Sequence, residues 1–164
     1  MKALSLWQPY ASLVALGVKR IETRSWQTSY RGPLAIHAAQ RRCGAEAYDE
    51  PLYRPGDLGN PATLPLGVVV ATCTLVDCLP MVEDKELAPA GDGTVDPPPC
   101  LLLDGLDNKL WLYDGGVGAY DVEDQRPYGD FRPGRFAWVF DTDIKPIDPP
   151  VPARGRQQLW EWTP

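Results

Sequence analysis

The stretch that decides the fold is Gly67 to Leu79, which reads GVVVATCTLVDCL. Its residues are nearly all apolar or β-branched, and β-branched side chains pack well on the pleated surface of a sheet. The pattern predicts a β-strand and is the strongest strand signal in the chain.

Shorter strand signals lie on both sides of this stretch. Phe136 to Phe140 reads FAWVF, and this alternation of aromatic residues is typical of a strand. By similar patterns we predict strands over Ala3–Leu6, Lys19–Arg24 and Leu34–Ala38, and a short strand or turn over Leu110–Tyr113.

Two short helices are expected among these strands. Tyr10 to Leu16 contains good helix formers, follows Pro9 and stops at Gly17, and these are residues that favour a helix start and a helix end. A second short helix is predicted over Ala39 to Tyr48. Together the elements predict a mainly β fold of the α+β class, a PUA-like, partly open β-barrel flanked by helices. An open two-layer α/β sandwich is the alternative.

Composition limits the fold and the number of domains. The 164 residues include 18 Pro and 15 Gly, more than helix bundles or coiled coils tolerate in their helices. A hydrophobic content of 44% is enough for a core, so we expect one domain over residues 1–164. Residues 81–125 are acidic and rich in Pro and Gly, and they are predicted to form an excursion from that domain.

The net charge of −6 is unevenly distributed along the chain. Residues 61–125 contain 2 Lys/Arg and 12 Asp/Glu, whereas residues 1–60 contain 8 and 5, and residues 126–164 contain 6 and 5. The overall acidity disfavours indiscriminate binding to polyanions, yet the two outer parts are net positive. This distribution favours a short nucleic acid or a single nucleoside as the ligand.

Other classes of site and compartment have little support. The longest apolar stretch, Gly67 to Val76, is far shorter than the roughly 20 residues that cross a bilayer, so no membrane partner is expected. The four cysteines form no C-x-x-C pair, and one histidine cannot complete a zinc site with them. We therefore expect no metal, no cofactor and a cytoplasmic location with reduced thiols.

The densest set of polar residues is Lys19, Glu22 and Arg24. On a strand, Glu22 and Arg24 project from the same face, and Lys19 lies at its entry. Lys19 with Glu22 can act as a general acid/base pair, or Arg24 can grip a planar polar ligand. A solvated strand face with ordinary ion pairs is the alternative interpretation.

Aromatic and amide groups flank this set. Gln8 and Pro9 stand at a helix start, where the amide and backbone N–H groups can face a ligand. Trp7 and Trp26 can stack on a planar ligand. His37, the only histidine, is predicted on an apolar strand, where a half-buried hydrogen-bonded role competes with catalysis. Arginines alternate with aromatic residues elsewhere in the chain, a pattern that suits single-stranded nucleic acid but also fits scattered surface residues.

Several ordered motifs together resemble the ASCH (activating signal cointegrator homology) domain family of the PUA-like superfamily. The resemblance is to SLWQPYASL at residues 5–13, GVKRIETRSW at 17–26, RGPLAIHAA at 31–39, GVVVAT at 67–72, VDC at 76–78, YGDF at 128–131, GRFAW at 134–138, RGRQ at 154–157 and LW at 159–160. It runs nearly from end to end, interrupted mainly by residues 81–125.

The resemblance implies a PUA-like β-barrel with a cleft that binds RNA or modified nucleosides, in RNA metabolism or transcription regulation. The family's cleft motif falls on Gln8, Pro9, Lys19, Glu22 and Arg24. With the flanking aromatic and polar residues, our candidate ligand-binding set is Trp7, Gln8, Pro9, Arg24, Ser25, Trp26 and His37.

The same resemblance implies an alternative activity, because some small ASCH-like proteins are N4-acetylcytidine amidohydrolases. Their set looks like a Lys, a Thr three residues later, and a Glu. Lys19 matches the first, but Glu22 stands at the Thr position and Thr23 follows one residue later. Lys19, Glu22 and Thr23 are therefore the candidate catalytic residues. A ribonuclease would use His37 with Lys19, and an adaptor that uses residues 81–125 is a further alternative.

Overall fold

A computed structural model describes residues 1–48, 58–83, 100–103, 110–113 and 119–164. In these ranges the chain forms ten strands, one α-helix and three 3₁₀ helices. The strands are β1 Lys2–Gln8, β2 Ile21–Arg24, β3 Gly32–Arg42, β4 Val68–Glu83, β5 Cys100–Leu103, β6 Leu110–Tyr113, β7 Ala119–Asp121, β8 Phe136–Phe140, β9 Lys145–Pro152 and β10 Leu159–Glu161. The helices are α1 Tyr10–Ala15 and the 3₁₀ helices Ala45–Tyr48, Pro61–Thr63 and Glu123–Tyr128.

The predicted α+β class is confirmed. The described strands are mostly antiparallel with parallel β1–β3 and β4–β5 pairs, and this mixed sheet does not close into a barrel in either of the two units described next. The longest strand is β4, which contains most of the predicted Gly67–Leu79 strand and continues to Glu83.

The chain divides into two compact units. Unit 1 comprises residues 1–20, 31–76 and 140–164, and unit 2 comprises residues 21–30 and 77–139. The expectation of a single domain over residues 1–164 stays a prediction.

Unit 1 is built on strand β1. This strand pairs in parallel with β3 and antiparallel with β10, and β3 in turn pairs antiparallel with the first part of β4. The core beneath these strands contains the buried residues Ala3, Ala35, Val69, Trp160 and Trp162. Trp160 and Trp162, near the C-terminus, thus complete the core of the unit that also contains the N-terminus.

Helix α1 follows β1 directly within unit 1. Pro9 occupies its N-cap, and Gly17, at a φ of 75°, allows the left-handed conformation that ends the helix turn. The buried residues Ala11, Leu13 and Val14 lie on the helix side that packs into the unit. The helix predicted over Tyr10–Leu16 is therefore confirmed, one residue shorter at its end.

Unit 2 contains the antiparallel ribbon of β2 and β8 and the antiparallel succession β5–β6–β7. Its core consists of the buried residues Ile21, Leu79, Met81, Val122, Phe131 and Ala137. Strands β5, β6 and β7 fall within the predicted acidic excursion at 81–125, and they include the strand expected at Leu110–Tyr113. Residues 84–99, 104–109 and 114–118 of that excursion lie outside the described residues.

Two local predictions differ from the structure. The helix expected over Ala39–Tyr48 is wrong in its first part, because β3 continues to Arg42, which pairs with Gln8 of β1; a 3₁₀ helix forms at Ala45–Tyr48. The proline-rich tail, for which no strand was expected, contains β9, which pairs with β4. Two of its prolines, Pro146 and Pro152, occur where the pairing is irregular or ends, and sheet edges tolerate proline at such positions.

No helix in the described part of the chain is both long and apolar enough to cross a membrane. Among those residues there is also no group of three or more metal-ligating side chains. The four cysteines are all described, and none is in a disulfide.

Candidate functional site

Strand β2 presents an ion pair on one face of the β2–β8 ribbon in unit 2. Ile21 and Thr23 are buried, and the alternate residues Glu22 and Arg24 project from the opposite face, as the period of two predicts. Arg24 Nε lies 3.0 Å from Glu22 Oε1, and the two side chains are 26% and 13% exposed. The pair is therefore largely withdrawn from solvent.

Two aromatic residues of β8 share that face. In the antiparallel register Trp138 lies opposite Glu22, and Phe136 lies opposite Arg24. Because residues directly opposite one another share a face, the ion pair is flanked by aromatic rings. Trp138 is fully buried, so it forms a rigid floor beside the carboxylate of Glu22.

Trp26 extends this aromatic group beyond the end of β2. Its ring packs edge-on against that of Trp138, with centroids 4.6 Å apart, and Trp138 Nε1 donates to the carbonyl oxygen of Trp26 at 3.3 Å. Trp26 stays partly exposed and its neighbour Ser25 is exposed. An aromatic ring held in this way can stack on a planar ligand without losing much side-chain freedom.

Thr23 supports the ribbon from its other face. The backbone N–H of Asp130 donates to Thr23 Oγ1 at 3.0 Å, and Arg135 Nη2 lies 3.4 Å from the Thr23 carbonyl oxygen. Gly129 passes so close that a Cβ there would be 2.6 Å from Thr23 Cγ2. In this geometry Thr23, which is 8% exposed, holds residues 129–130 in place.

Asp130, in the 129–130 segment, interacts with two arginines. It accepts hydrogen bonds from Arg132 Nε at 2.7 Å and Nη2 at 2.6 Å, and Arg135 Nε lies 3.5 Å away. The hydrogen bonds from Arg132, with the charges of both guanidinium groups, lower the pKa of Asp130. The carboxylate stays ionised and fixes this turn beside β2.

Lys19 belongs to unit 1, where its side chain is completely buried. Its ammonium group lies 5.5 Å from the centroid of the Tyr10 ring, within the range of a cation–π contact. Its backbone N–H donates to the carbonyl oxygen of Leu13, so the residue is tied to helix α1. Complete burial is rare for lysine. The interpretation of Lys19 as part of a solvated strand face, which the sequence also allowed, does not fit this position.

Gln8 uses its side-chain amide within unit 1. Nε2 donates to Ser12 Oγ at 2.8 Å and to the carbonyl oxygen of Pro65 at 2.9 Å, and Oε1 accepts from the backbone N–H of Ser12 at 3.1 Å. The amide therefore satisfies an N–H of the first turn of α1 that has no partner within the helix. Pro9 is buried at the N-cap.

His37 is buried in unit 1 and holds two segments together. Its Nε2 lies 3.1 Å from the carbonyl oxygen of Ala153, and its Nδ1 lies 3.1 Å from Ser5 Oγ. The ring also meets the Trp160 ring edge-on at 5.5 Å. Burial lowers the pKa of His37. His37 is therefore a buried residue that is hydrogen-bonded through both ring nitrogens.

Trp7 differs from the other predicted residues of unit 1 because it is 45% exposed. The guanidinium carbon of Arg41 lies 4.8 Å from the centroid of its ring. This geometry is a cation–π contact at the protein surface.

A family model for the ASCH domain matches residues 4–97, which is more than half of the chain. The chain belongs to the ASCH domain family. Activating signal cointegrator 1 of Homo sapiens is 37% identical over 91 residues, which are 52% of this chain and 16% of the human protein. The protein of the same name from Mus musculus matches to the same extent, so the match covers 16% of the length of either relative.

The structure thus distributes the predicted site residues of this ASCH domain over both units. Glu22, Arg24 and Trp26 come together in unit 2, with Thr23 beneath them and Ser25 exposed. The predicted residues in unit 1 are Trp7, Gln8, Pro9, Lys19 and His37.

Sequence reasoning did not assign a site role to Asp130, Arg135 and Trp138, which surround β2 in unit 2. The sequence did contain a signal for these three residues, because all of them lie in the family motifs at residues 128–131 and 134–138. Their position next to β2 could not be predicted without the register in which β2 pairs with β8.

Proposed function

We propose that this ASCH domain binds a ligand that contains a nucleobase, either RNA, a nucleotide or a modified nucleoside, at the Glu22–Arg24 pair of unit 2. The observation that carries the proposal is this ion pair, only 13% and 26% exposed, on a strand face that also bears Trp138 and continues to Trp26. The ASCH family, which is associated with RNA binding, supports the same class of ligand.

The chemistry of the pair suits the edge of a base. A carboxylate accepts hydrogen bonds from exocyclic amino groups, and a guanidinium donates two parallel bonds to carbonyl and ring nitrogen acceptors. A partly buried ion pair contributes little net stability, because removing both charges from water offsets their attraction. Recognition of a polar planar ligand explains such a pair better than stabilisation of the fold does.

The aromatic rings supply the second element of recognition. Bases bind to proteins by stacking on Trp, Tyr, Phe and His rings as well as by hydrogen bonds along their edges. Trp26 is partly exposed and is fixed on the buried ring of Trp138, so it offers a stacking surface in unit 2. Unit 2 contains 6 Lys/Arg and 14 Asp/Glu, a net charge of −8, which disfavours extensive phosphate contacts there. A single base is the best fit for this site.

Calorimetric titration with nucleosides, N4-acetylcytidine among them, tests the proposal. We expect Arg24→Ala to weaken binding by about 5- to 150-fold, the usual effect of losing a bidentate contact to a base. Arg126→Ala is the matched control, because Arg126 also pairs with a glutamate of unit 2, Glu123, with 31% and 41% exposure. If no nucleoside or short oligonucleotide binds or raises the melting temperature, the proposal is wrong.

A hydrolase is the second candidate, and the complete burial of Lys19 favours it. Lysines are almost never fully buried without a specific reason, and active sites are one place where they are. In that interpretation, Lys19 would transfer a proton during hydrolysis of an acylated base or of RNA. Product formation lost in Lys19→Met, with an intact unfolding curve, would support hydrolysis. Ligand binding without any turnover would rule out the hydrolase and would leave binding as the function.

A further inference from the structure

Strand β2, which carries the ion pair of the proposed site, pairs with β8 alone in the described part of the chain. The backbone N–H of Phe140 donates to the carbonyl oxygen of Arg20 at 2.9 Å, which sets the phase of this antiparallel ladder. In such a ladder, residues whose backbone groups bind the partner strand alternate with residues whose backbone groups point away from it. The backbone groups of Ile21 and Thr23 therefore point away from β8 and need other partners.

Two side chains of unit 2 bind these outward groups. The N–H of Ile21 donates to Oε1 of Gln125 at 3.2 Å, and Nη2 of Arg135 donates to the carbonyl oxygen of Thr23 at 3.4 Å. Buried backbone groups must be paired with backbone, side chains or water. At this edge, side chains satisfy backbone groups that a further strand would otherwise pair.

Arg135 reaches Thr23 from a fixed backbone. Its carbonyl oxygen accepts from the N–H of Met81 at 2.9 Å, and the carbonyl oxygen of Met81 accepts from the N–H of Gly134 at 3.0 Å. The Arg135 side chain is 25% exposed, and its Nε is buried without a hydrogen bond among the described residues. Asp130 supplies the compensating charge, because its Oδ2 lies 3.5 Å from that Nε. The hydrogen bond to Thr23 is long, so the guanidinium depends on this ion pair to stay in place.

Asp130 is itself anchored at two points. Its backbone N–H donates to Thr23 Oγ1 at 3.0 Å, and its carboxylate accepts two hydrogen bonds from Arg132, at 2.7 and 2.6 Å. Asp130 and Arg135 therefore contact each other, and they contact Thr23 through different atoms. We call this closed set of contacts, made by Thr23, Asp130 and Arg135, the Thr23 latch.

The Thr23 latch acts on the residue that follows it in β2. The carbonyl oxygen of Thr23 and the backbone N–H of Arg24 belong to one planar peptide unit, so Arg135 holds the peptide from which the Arg24 side chain departs. Arg24 Nε lies 3.0 Å from Glu22 Oε1, and two parallel hydrogen bonds to a base require the plane of this guanidinium to be fixed. A side chain that is already ordered in the free protein loses less entropy when it binds a ligand.

We propose that Arg135 is a positioning residue for the nucleobase site and that Asp130 holds it there. Arg135 fixes the end of β2, and this orders Arg24 beside Glu22 before a base arrives. Arg135 acts through Arg24 and does not touch the base. The inference rests on the proposed function, to which it adds the residues that preorganise the site.

Calorimetric titration with adenosine, guanosine, cytidine, uridine, N4-acetylcytidine and a short oligouridine measures the effect of the Thr23 latch. Arg135→Lys keeps the positive charge, but a single ammonium group lacks the planar fork that reaches Asp130 and Thr23 together. We expect this variant to weaken binding by about 2- to 10-fold, the cost of ordering one long side chain on binding. Arg126→Lys is the matched control, because Arg126 is an arginine of unit 2 that also pairs with a carboxylate, Glu123, and this variant should bind as the wild type does.

Asp130→Asn tests the ion pair separately. The variant keeps the backbone N–H that binds Thr23 and nearly the same side-chain volume, but it removes the charge that holds Arg135. Its affinity should fall by a similar factor, and adding Arg135→Lys should cause little further loss. If urea unfolding shows that Arg135→Lys does not fold, Asp130→Asn takes its place in the test.

A double-mutant cycle with Arg24→Ala distinguishes positioning from direct contact. If Arg135 acts through Arg24, Arg135→Lys should not change the affinity of a protein that already carries Arg24→Ala. An equal loss with and without Arg24→Ala would mean that Arg135 touches the ligand or acts on the whole fold, and would overturn the inference.

The outcomes separate this inference from the proposed function. If Arg24→Ala loses binding while Arg135→Lys and Asp130→Asn bind as the wild type does, the positioning role is wrong and the proposed function stands. If the wild-type protein binds neither nucleosides nor the oligouridine, both are wrong. A loss in Arg135→Lys and Asp130→Asn that is absent from Arg126→Lys, and that disappears when Arg24→Ala is present, supports both.

Discussion

Replacing Gly129 by alanine should strain unit 2, because Gly129 lies directly against Thr23. Its backbone is extended, with φ −161° and ψ 170°, so an alanine can adopt the same conformation. The added Cβ would lie 2.6 Å from Thr23 Cγ2, 2.9 Å from Phe131 Cε2 and 3.2 Å from Thr23 Oγ1. Any loss of stability would therefore come from these three contacts and not from the backbone.

The size of the effect follows from the packing. Forcing an extra methyl group into a packed site costs about 1–3 kcal/mol. For a chain of this length, each kcal/mol lowers the melting temperature by about 2–4 °C. Urea unfolding followed by tryptophan fluorescence should give a lower midpoint with an unchanged slope.

A second substitution identifies which contact is responsible. Thr23→Ser deletes Cγ2 and keeps Oγ1, which accepts the hydrogen bond from Asp130, so by itself it should cost about 1 kcal/mol. In the double variant the closer contact is absent, and Gly129→Ala should cost at least about 0.5 kcal/mol less. Thr74→Ser, the same deletion in unit 1, should leave the cost of Gly129→Ala unchanged. Strictly additive effects of Thr23→Ser and Gly129→Ala would refute the contact.

Three further predictions concern unit 1. Because burial lowers the pKa of His37, the unfolded chain takes up a proton below about pH 6.5 more readily than the folded chain does. Urea unfolding should therefore show a free energy of unfolding that falls as the pH is lowered from about 7.5 to 5.5, and His37→Gln should flatten that decrease. Gly155→Ala, whose Cβ would overlap the His37 ring, should lower stability by about 1–3 kcal/mol in the same measurement, and a wild-type midpoint would contradict the contact. Burial and the nearby charge of Asp141 raise the pKa of Cys73 to about 12. A thiol reagent at about pH 8 should therefore leave Cys73 unmodified until the protein unfolds, whereas Cys43, which is not buried, should be labelled in the folded protein.

Elements with a strong local pattern were predictable from the sequence. The β-branched run at Gly67–Leu79 forms most of β4, and Phe136–Phe140 forms β8 with the same bounds. The alternation of β2 also correctly placed Glu22 and Arg24 on one face, opposite Ile21 and Thr23. These features depend on neighbouring residues only, so composition and period were sufficient.

Elements that depend on pairing were not predictable in this way. Residues 39–42 have a helical preference, yet they extend β3 because Arg42 pairs with Gln8 of β1. Strand β9 forms although it contains four prolines, because β4 offers an edge to which it can pair. In both cases a contact with a residue distant in the chain outweighed the local preference.

The sequence by itself determined the strand-rich class, the helix between Pro9 and Gly17 and the family, because each depends on residues that are neighbours in the chain. The partners of the candidate site residues were decided only by the tertiary structure. Lys19 and Glu22 are three positions apart, yet they belong to different compact units, and Thr23 finds its partner at Asp130. Burial and hydrogen bonding depend on which distant segments meet, and a linear pattern does not contain that information.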